Sequence, residues 1–337
     1  MDARLNVSVA VSVLLLGGSP HAQDGSVQVR AAVTNSLTLL QASGRTWIEK
    51  SGCVSCHHQA LPAMSVALAQ HRGFRIDQEA TDQRIRATLT RFTQPREELF
   101  QSPVGIGLVA GGVLNAGYAL VGLGASKVPP NATTDAMAHF IAARQSADGR
   151  FRSPDPGCLP LEGSDVTATA LAIRALQLYA PPALEAETAR IVSRARDWLL
   201  SVQPIGTEEK TSQLRGLGLA DADRRVTARL SAALAAEQRV DGGWAQLPDL
   251  ASDAYATGQA LVALHDAGGF AASSAVYRKG VTFLLKSQHA DGSWLVISRA
   301  RGTQPYFESG FPHGTNQFIS AAGTAWATTA LLLSLEE

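Results

Sequence analysis

The stretch Gln238-Arg239-Val240-Asp241-Gly242-Gly243-Trp244 follows a helix-like run and has two related copies in the chain. One is Gln288-His289-Ala290-Asp291-Gly292-Ser293-Trp294, and the other is Gln145-Ser146-Ala147-Asp148-Gly149. Aspartate followed by glycine ends a helix, because glycine tolerates a positive φ and aspartate bonds nearby backbone. The glutamine amide can tie neighbouring backbone groups, and the tryptophan ring can cover the seam to the next repeat. Three copies therefore predict a helical repeat protein.

Each motif stands between an amphipathic helix and a helix of small residues, so the repeating unit is a helix pair. The first helices are predicted near 33–50, 76–94, 131–145, 185–202, 223–238 and 273–288. The second helices are predicted near 60–72, 102–124, 164–180, 207–220, 252–268 and 317–335. About six such pairs can close into a ring, with the small-residue helices crowded on the inside. We therefore expect an all-α fold, an α/α toroid, in a single domain over residues 23–337.

The three motifs resemble the Gln–Trp repeats of squalene–hopene and oxidosqualene cyclases and of protein prenyltransferase β subunits. The stretch Ser309-Gly310-Phe311-Pro312 is also similar to the C-terminal end of the cyclases. The resemblance covers roughly residues 130–337, and more weakly the chain from about 33. It implies a toroid of the terpenoid cyclase/prenyltransferase type, but not cyclase activity by itself, because one fold hosts many functions.

The composition excludes several classes of protein. The 337 residues carry 29 Lys+Arg and 29 Asp+Glu, a balance that argues against nucleic acid as a partner and against a polybasic membrane patch. The chain is 45% hydrophobic and 17% charged, which excludes intrinsic disorder. Val104 to Ala125 is uncharged and long enough to span a membrane, but its seven glycines favour a buried helix of a soluble core.

The N-terminus has the pattern of a signal peptide over residues 1–22. Arg4 gives a basic start, Leu5 to Leu16 form an apolar stretch, and small residues up to Ala22 offer a cleavage site. A retained anchor and a buried first helix are the alternatives. Export predicts a periplasmic or secreted protein.

The strongest chemical motif is Cys53-Val54-Ser55-Cys56-His57, a Cys-x-x-Cys-His sequence inserted where the first repeat would carry its Gln–Trp motif. In an exported chain it predicts covalent haem c, with Cys53 and Cys56 bonded to the haem and His57 as proximal ligand of the iron. A Cys53–Cys56 disulfide or redox pair and half of a metal site are the alternatives. Cys158 is interpreted as a loop thiol, or as a partner of Cys53 or Cys56.

Two residues are candidates for the sixth ligand of the haem iron. Met64 follows His57 by seven residues, and His313 lies in the loop before the last inner helix, which a closed ring brings beside the first pair. An open sixth position is the third possibility. The stretch from Gly52 to Met64, followed by a toroid, is similar to a bacterial exported family that combines a haem-c-type motif with prenyltransferase/squalene-oxidase-type repeats.

A cyclase needs a carboxylic acid that is kept protonated in a dry cavity. The run of aspartates found in bacterial hopene cyclases is absent from the sequence. Ser164-Asp165-Val166-Thr167-Ala168 is similar to the oxidosqualene cyclase stretch that holds the acid, which makes Asp165 the candidate. A helix-start residue is the alternative interpretation of Asp165.

Three functions follow from these features. The first is an exported haem-bearing toroid that exchanges electrons with a redox partner protein, or that binds or oxidises an apolar small molecule in the ring cavity. The second is a terpenoid cyclase-like isomerase that uses Asp165. The third is a non-catalytic interaction scaffold, so the sequence leaves open whether the protein is an enzyme. Candidates for the cavity lining are Tyr118, Tyr255, Phe318 and Trp326.

Overall fold

The computed structural model describes residues 20–101, 112–153, 159–300 and 306–335. In chain order, the helices of the N-terminal half are α1 (Pro20–Ser51), α2 (Leu61–His71), α3 (Gln78–Thr93), α4 (Arg96–Gln101), α5 (Gly112–Ala125), α6 (Ala132–Ala142) and α7 (Asp165–Tyr179). The later helices are α8 (Glu185–Ser201), α9 (Thr207–Leu219), α10 (Arg224–Ala236), α11 (Ala254–Asp266), α12 (Ala275–Ser287) and α13 (Gln317–Leu333).

Short elements complete the connections between these helices. A π-helical turn, Cys56–Ala60, precedes α2, and single 3-10 turns cover Pro182–Leu184 and Gly314–Asn316. Two short antiparallel strands, β1 (Trp244–Ala245) and β2 (Ser252–Asp253), bracket the loop before α11.

Six helices form a closed inner ring. Going round it, α2, α5, α7, α9, α11 and α13 each pack against the next, and α13 packs against α2. The first helix of each pair, α1, α3, α6, α8, α10 or α12, lies outside and packs on the inner ring. The inner helices are buried on nearly all sides, which their alanines, glycines and threonines allow. The predicted α/α toroid of six helix pairs is therefore confirmed.

The helix boundaries follow local capping signals. Asp77, Asp223 and Asp253 each accept a hydrogen bond from a backbone N–H in the first turn of the helix that follows them. Asn131 and Thr134 form a reciprocal capping box at the start of α6. These short polar side chains explain why the ends predicted for the helices agree closely with the observed ones.

Two parts of the prediction differ from the structure. Helix α1 begins at Pro20 and not near residue 33. The prediction missed this first part because it has no apolar period and because residues 26–28 are exposed. The short helix α4 was not predicted. Residues 102–111 of the predicted second inner helix lie outside the described residues, and so does Cys158.

Each of the three Gln–Trp motifs connects its outer helix to the next one in the ring. Gln238 Nε2 donates to the carbonyl of Gly242 at 2.9 Å and to that of Val276, in α12, at 2.8 Å. Trp244 Nε1 donates back to Leu234, in α10. Gln145 makes the same pair of bonds, with Ile191 in the next outer helix.

The motif at residues 145–151 also has an aromatic ring in the place of the tryptophan. The N–H of Phe151 donates to the Thr169 hydroxyl, as the N–H of Trp244 does to Thr257. Phe151 is fully buried, so the ring performs the same packing without an indole N–H.

Across the described ranges, no helix is both long and apolar enough to span a membrane. The part of the candidate span Val104–Ala125 that is described, α5, is an inner helix with most of its residues buried. Its glycines allow close approach, since a Cβ on Gly122 would lie 3.1 Å from the Cα of Ala60.

Candidate functional site

The inner ring encloses a cavity of about 690 Å³ that is lined by residues from all six inner helices. A volume of this size is typical of sites for small molecules. The cavity opens to solvent near the C-terminal ends of the inner helices. Exposed charged side chains surround this opening, namely Arg174, Asp221, Arg224 and Asp266. The apolar part of the cavity wall is formed by Leu61, Met64, Val121, Leu171 and Leu178.

Glu208 is a carboxyl group on the wall of this cavity, in the first turn of α9. Its side chain is 8% exposed. Oε2 accepts hydrogen bonds from Tyr255 Oη at 2.5 Å and from Gln259 Nε2 at 2.6 Å. Oε1 accepts from Thr167 Oγ1 at 3.0 Å. Glu208 is therefore held by residues of both neighbouring inner helices, α7 and α11.

Burial raises the pKa of Glu208 above its usual value, although the hydrogen bonds from Tyr255, Gln259 and Thr167 and the charge of Arg215 act in the opposite direction. Burial, with the charge of Glu208 as second cause, also raises the pKa of Tyr118 and Tyr255 well above the usual value. The phenols therefore stay neutral, and the carboxyl is shifted toward its protonated form. A raised carboxyl pKa in a cavity is the property of a general acid.

Arg215 and Trp326 lie on the same cavity wall. The guanidinium carbon of Arg215 is 5.1 Å from the centre of the Trp326 ring, within the range of a cation–π contact. Tyr118 and Trp326 both line the cavity. Tyr255 is fully buried behind Glu208, and Phe318 packs against His57 at a ring-centre distance of 5.5 Å.

Asp165 lies at the start of α7 and is not among the described residues that line the cavity. Its Oδ1 accepts from the N–H of Ser153 at 2.7 Å, and its Oδ2 pairs with Arg150 at 3.3 Å. Ser164, and not Asp165, is the N-cap. Asp165 is thus engaged in an ion pair outside the cavity, so its position favours Glu208 over Asp165 as a candidate acid.

The Cys-x-x-Cys-His sequence lies between α1 and α2, in the connection where the Gln–Trp motif of the first repeat was expected. Cys53 is partly exposed, whereas Cys56 and His57 are 4% and 7% exposed. Cys56 belongs to the same buried core cluster as Tyr118 and Tyr255.

His57 forms a buried pair with His58. Their Nδ1 atoms are 2.5 Å apart, and His58 Nε2 lies 3.0 Å from Ser309 Oγ. The Trp47 ring packs against both imidazoles, edge-on to His57 and stacked on His58. Burial lowers the pKa of His57 to about 3, and burial together with the charge of His57 lowers the pKa of His58 well below its usual value. Both rings are therefore neutral at pH 7.

The imidazole of His57, the predicted haem ligand, is enclosed by other rings. A c-type haem needs both thiols at the porphyrin edge and a histidine nitrogen facing the iron. In this structure His57 Nδ1 lies against His58, so Nε2 is the nitrogen that would face the iron, and Trp47, His58 and Phe318 pack around the ring. Within the described part of the chain, no group of three or more His, Cys, Asp or Glu could hold a metal ion.

The two candidates for a sixth ligand lie in different surroundings. Met64 is on the wall of the central cavity. His313 Nε2 lies 2.8 Å from Ser293 Oγ, and its ring lies beside His289 in the last Gln–Trp motif. Phe311 lies between His58 and His313, with ring-centre distances of 6.1 and 6.4 Å.

Sequence reasoning missed Glu208. A signal was present, since a glutamate at the start of a small-residue inner helix contrasts with the predicted crowded interior. Acidic residues in a first turn also favour the helix dipole, so Glu208 and Glu209 look like ordinary helix-start residues. Only the packing of the inner helices brings Tyr255 and Gln259 against Glu208.

Comparison with solved structures finds the same fold in a known enzyme. The type II terpene cyclase MstE from Scytonema, as an aspartate-to-alanine variant in complex with its product merosterolic acid A, superposes with a TM-score of 0.59 at 12% identity. The match covers 92% of this chain and 98% of that one. An aspartate-to-asparagine variant with its substrate geranylgeranyl dihydroxybenzoate gives a TM-score of 0.58 at 12% identity and the same coverage. No family model matches the chain, and no curated protein does.

Proposed function

We propose that the protein is a terpenoid cyclase-like isomerase, which takes an isoprenoid chain into the ring cavity and uses Glu208 as its acid. The observation that carries the proposal is the buried carboxyl of Glu208, with its raised pKa, on the wall of a large cavity. The fold shared with type II terpene cyclases supports the same conclusion.

The hydrogen bonds of Glu208 indicate where its proton is held. Oε2 already accepts from two donors, Tyr255 and Gln259. Oε1 has Thr167, whose hydroxyl can turn instead toward Ser212 Oγ at 3.1 Å. The acidic proton therefore belongs on Oε1, where Thr167 can accept from it until a substrate alkene replaces the hydroxyl.

The reaction is then a proton-initiated isomerisation. The proton on Oε1 adds to one alkene carbon, and the other carbon becomes a cation that the next double bond attacks, so that a C–C bond forms from each π bond used. The last cation loses a proton to water, which leaves the product with the formula of the substrate, and the Glu208 carboxylate takes up a proton from solvent for the next cycle. The aromatic side chains of Tyr118 and Trp326 line the cavity and can stabilise the cations.

Incubation with squalene or geranylgeraniol in D₂O tests this proposal. The exchangeable proton of Glu208 is replaced by deuterium, so the cyclic product should gain one deuteron and show one mass unit more than the product made in H₂O. Neither substrate yielding a cyclic isomer, or a cyclic product without deuterium, would contradict the proposal.

A second proposal rests on the sequence Cys53-Val54-Ser55-Cys56-His57 and on the predicted signal peptide. In this proposal the chain is exported to the periplasm or secreted, carries covalent haem c, and exchanges electrons with a redox partner. Residues 1–19 lie outside the described residues, and the predicted cut after Ala22 falls in the first turn of α1. The support is the motif and the export that the N-terminal sequence predicts.

A further inference from the structure

Arg215 places a positive charge on the wall of the central cavity without an anion beside it. The side chain is partly exposed and lines the cavity, so a molecule in the cavity can reach it. Among the residues that the structure describes, none accepts a hydrogen bond from Arg215 or forms an ion pair with it. The Trp326 ring lies 5.1 Å from the guanidinium carbon. This cation–π contact holds the side chain and leaves its N–H donors for a ligand.

The other charges of the cavity do not neutralise Arg215. Besides Arg215 and Glu208, the charged residues among the described lining are Arg174, Arg224, Asp221 and Asp266. When Glu208 is protonated, three positive charges therefore face two negative ones, and the lining has an excess charge of +1. In a site of low dielectric, this excess opposes the carbocations of the proposed reaction. A bound anion of charge −1 would remove the opposition.

Arg215 lies between the acid and the opening of the cavity. It follows Glu208 by seven residues on α9, which corresponds to about 10 Å along the helix axis. Because the cavity opens near the C-terminal ends of the inner helices, Arg215 is the nearer of the two to solvent. A ligand with an anionic group on Arg215 can thus extend an apolar chain inward, past Glu208, to Leu61 at the start of α2.

A carboxylate matches these features better than a diphosphate does. The planar guanidinium of an arginine pairs with a carboxylate through two parallel N–H···O hydrogen bonds, and a single negative charge equals the excess charge of the lining. A diphosphate would bring several negative charges to the C-terminal ends of the inner helices, which are the negative ends of the helix dipoles. Phosphate groups are favoured instead at the N-termini of helices.

We propose that the cavity binds an isoprenoid carboxylic acid, whose carboxylate pairs with Arg215 while its chain extends inward past Glu208. The inference rests on the proposed function in that the cavity must admit an isoprenoid chain. It adds the class of the substrate, which brings its own counter-charge for Arg215 and is fixed at one end. The alkene that meets Glu208 then lies on the chain, away from the carboxylate.

The test is calorimetric binding of three matched probes to the full-length protein at about pH 8, where a carboxylic acid is ionised. The probes are geranylgeranoic acid, geranylgeraniol and geranylgeranylamine, which share one chain and differ in the head group. We expect the acid to bind about 10–100-fold more tightly than the alcohol, and the amine to bind most weakly, because only the carboxylate forms charge-assisted hydrogen bonds with Arg215. An alcohol that binds as tightly as the acid would overturn the inference and leave the proposed function in place, whereas no binding of any probe would contradict the proposed function as well.

Two variants assign the preference for the acid to its side chain. Arg215→Met keeps an unbranched side chain and removes the charge, so the acid should lose its advantage over the alcohol. Arg215→Lys keeps the charge without the planar pair of donors, so the advantage should shrink but persist. Arg229→Met, at an exposed arginine of the outer helix α10, is the matched control and should keep the wild-type order. An undiminished advantage of the acid in Arg215→Met, with folding verified by circular dichroism, would overturn the inference.

Discussion

The side-chain amide of Gln288 donates a hydrogen bond to the backbone carbonyl of Ala32 at 3.0 Å, and this bond joins the last helix pair to the first. Gln145 and Gln238 make the corresponding bond to the next outer helix along the chain. Gln288 also bonds to the next outer helix of the ring, which is α1. Its partner Ala32 therefore lies 256 residues earlier in the chain. One repeated side-chain interaction thus serves both to connect neighbouring pairs and to close the ring.

Replacing Gln288 by leucine should lower the free energy of unfolding by about 1–3 kcal/mol, because the carbonyls of Ala32 and Gly292 lose their donor. Urea unfolding followed by circular dichroism measures the change. Gln203→Leu, at an exposed glutamine just after α8, is the control and should change stability by no more than about 0.5 kcal/mol. Equal effects of the two variants would mean that the closing bond contributes nothing specific.

Gly292→Ala should destabilise the protein more than Gly269→Ala. Both glycines have a positive φ, +87° and +70°, so both variants bear the strain of a left-handed residue. A Cβ on Gly292 would also lie 2.6 Å from the carbonyl carbon of Asn35, in α1, whereas a Cβ on Gly269 meets nothing within 4 Å. We expect Gly269→Ala to cost about 1–2 kcal/mol and Gly292→Ala clearly more. Comparable melting temperatures for the two variants would contradict this close contact.

The buried pair of His57 and His58 should make stability depend on pH below neutrality. The pKa of each folded imidazole is lowered, to about 3 for His57, so the unfolded chain binds more protons than the folded one in acid. The contribution of these neutral imidazoles to the free energy of unfolding is fully present above about pH 6.5, and it is lost as the pH falls toward the pKa of the folded state.

His57→Asn removes one titrating group from this pair. Between about pH 4 and 6, the free energy of unfolding of the variant should fall less steeply than that of the wild type, by about 1.4 kcal/mol per pH unit. Urea titrations at several pH values give both slopes. Parallel curves for the wild type and His57→Asn would show that the imidazole is not buried as a neutral group.

The haem proposal predicts a covalent chromophore. Expression with a c-haem maturation system should yield a Soret band that survives denaturation and that disappears when Cys53 and Cys56 are both replaced by serine. Replacing His313 or Met64 should then change the spectrum only if that residue is a ligand of the iron. A colourless but correctly processed protein would exclude haem c.

Much of the fold could be predicted from the sequence because its signals are local. The Asp-Gly turns at 148–149, 241–242 and 291–292 end outer helices, and each of these glycines has a positive φ in the structure. The beginning of α1 could not be predicted, since this part of the sequence has no apolar period and residues 26–28 are exposed. Local patterns of this kind decide where helices start and stop, but not which of them meet.

The candidate site was less visible because it is formed by distant parts of the chain. Tyr255 and Gln259 reach Glu208 from 47 and 51 residues away. Tyr118 and Trp326 were predicted to line the cavity and do so. The orientation of Gln259 depends on the packing of α11 against its neighbours, which no local pattern encodes.

The most direct test of the account is to compare Glu208→Gln with Asp165→Asn in the cyclisation of squalene and geranylgeraniol, with the products measured by mass spectrometry. A variant without the buried acid cannot deliver the first proton, so Glu208→Gln should lose on the order of 10²–10⁴-fold in rate. Asp165→Asn should keep a rate near that of the wild type, because Asp165 pairs with Arg150 away from the cavity. Cyclic product from Glu208→Gln at the wild-type rate, or its loss in Asp165→Asn alone, would contradict the account.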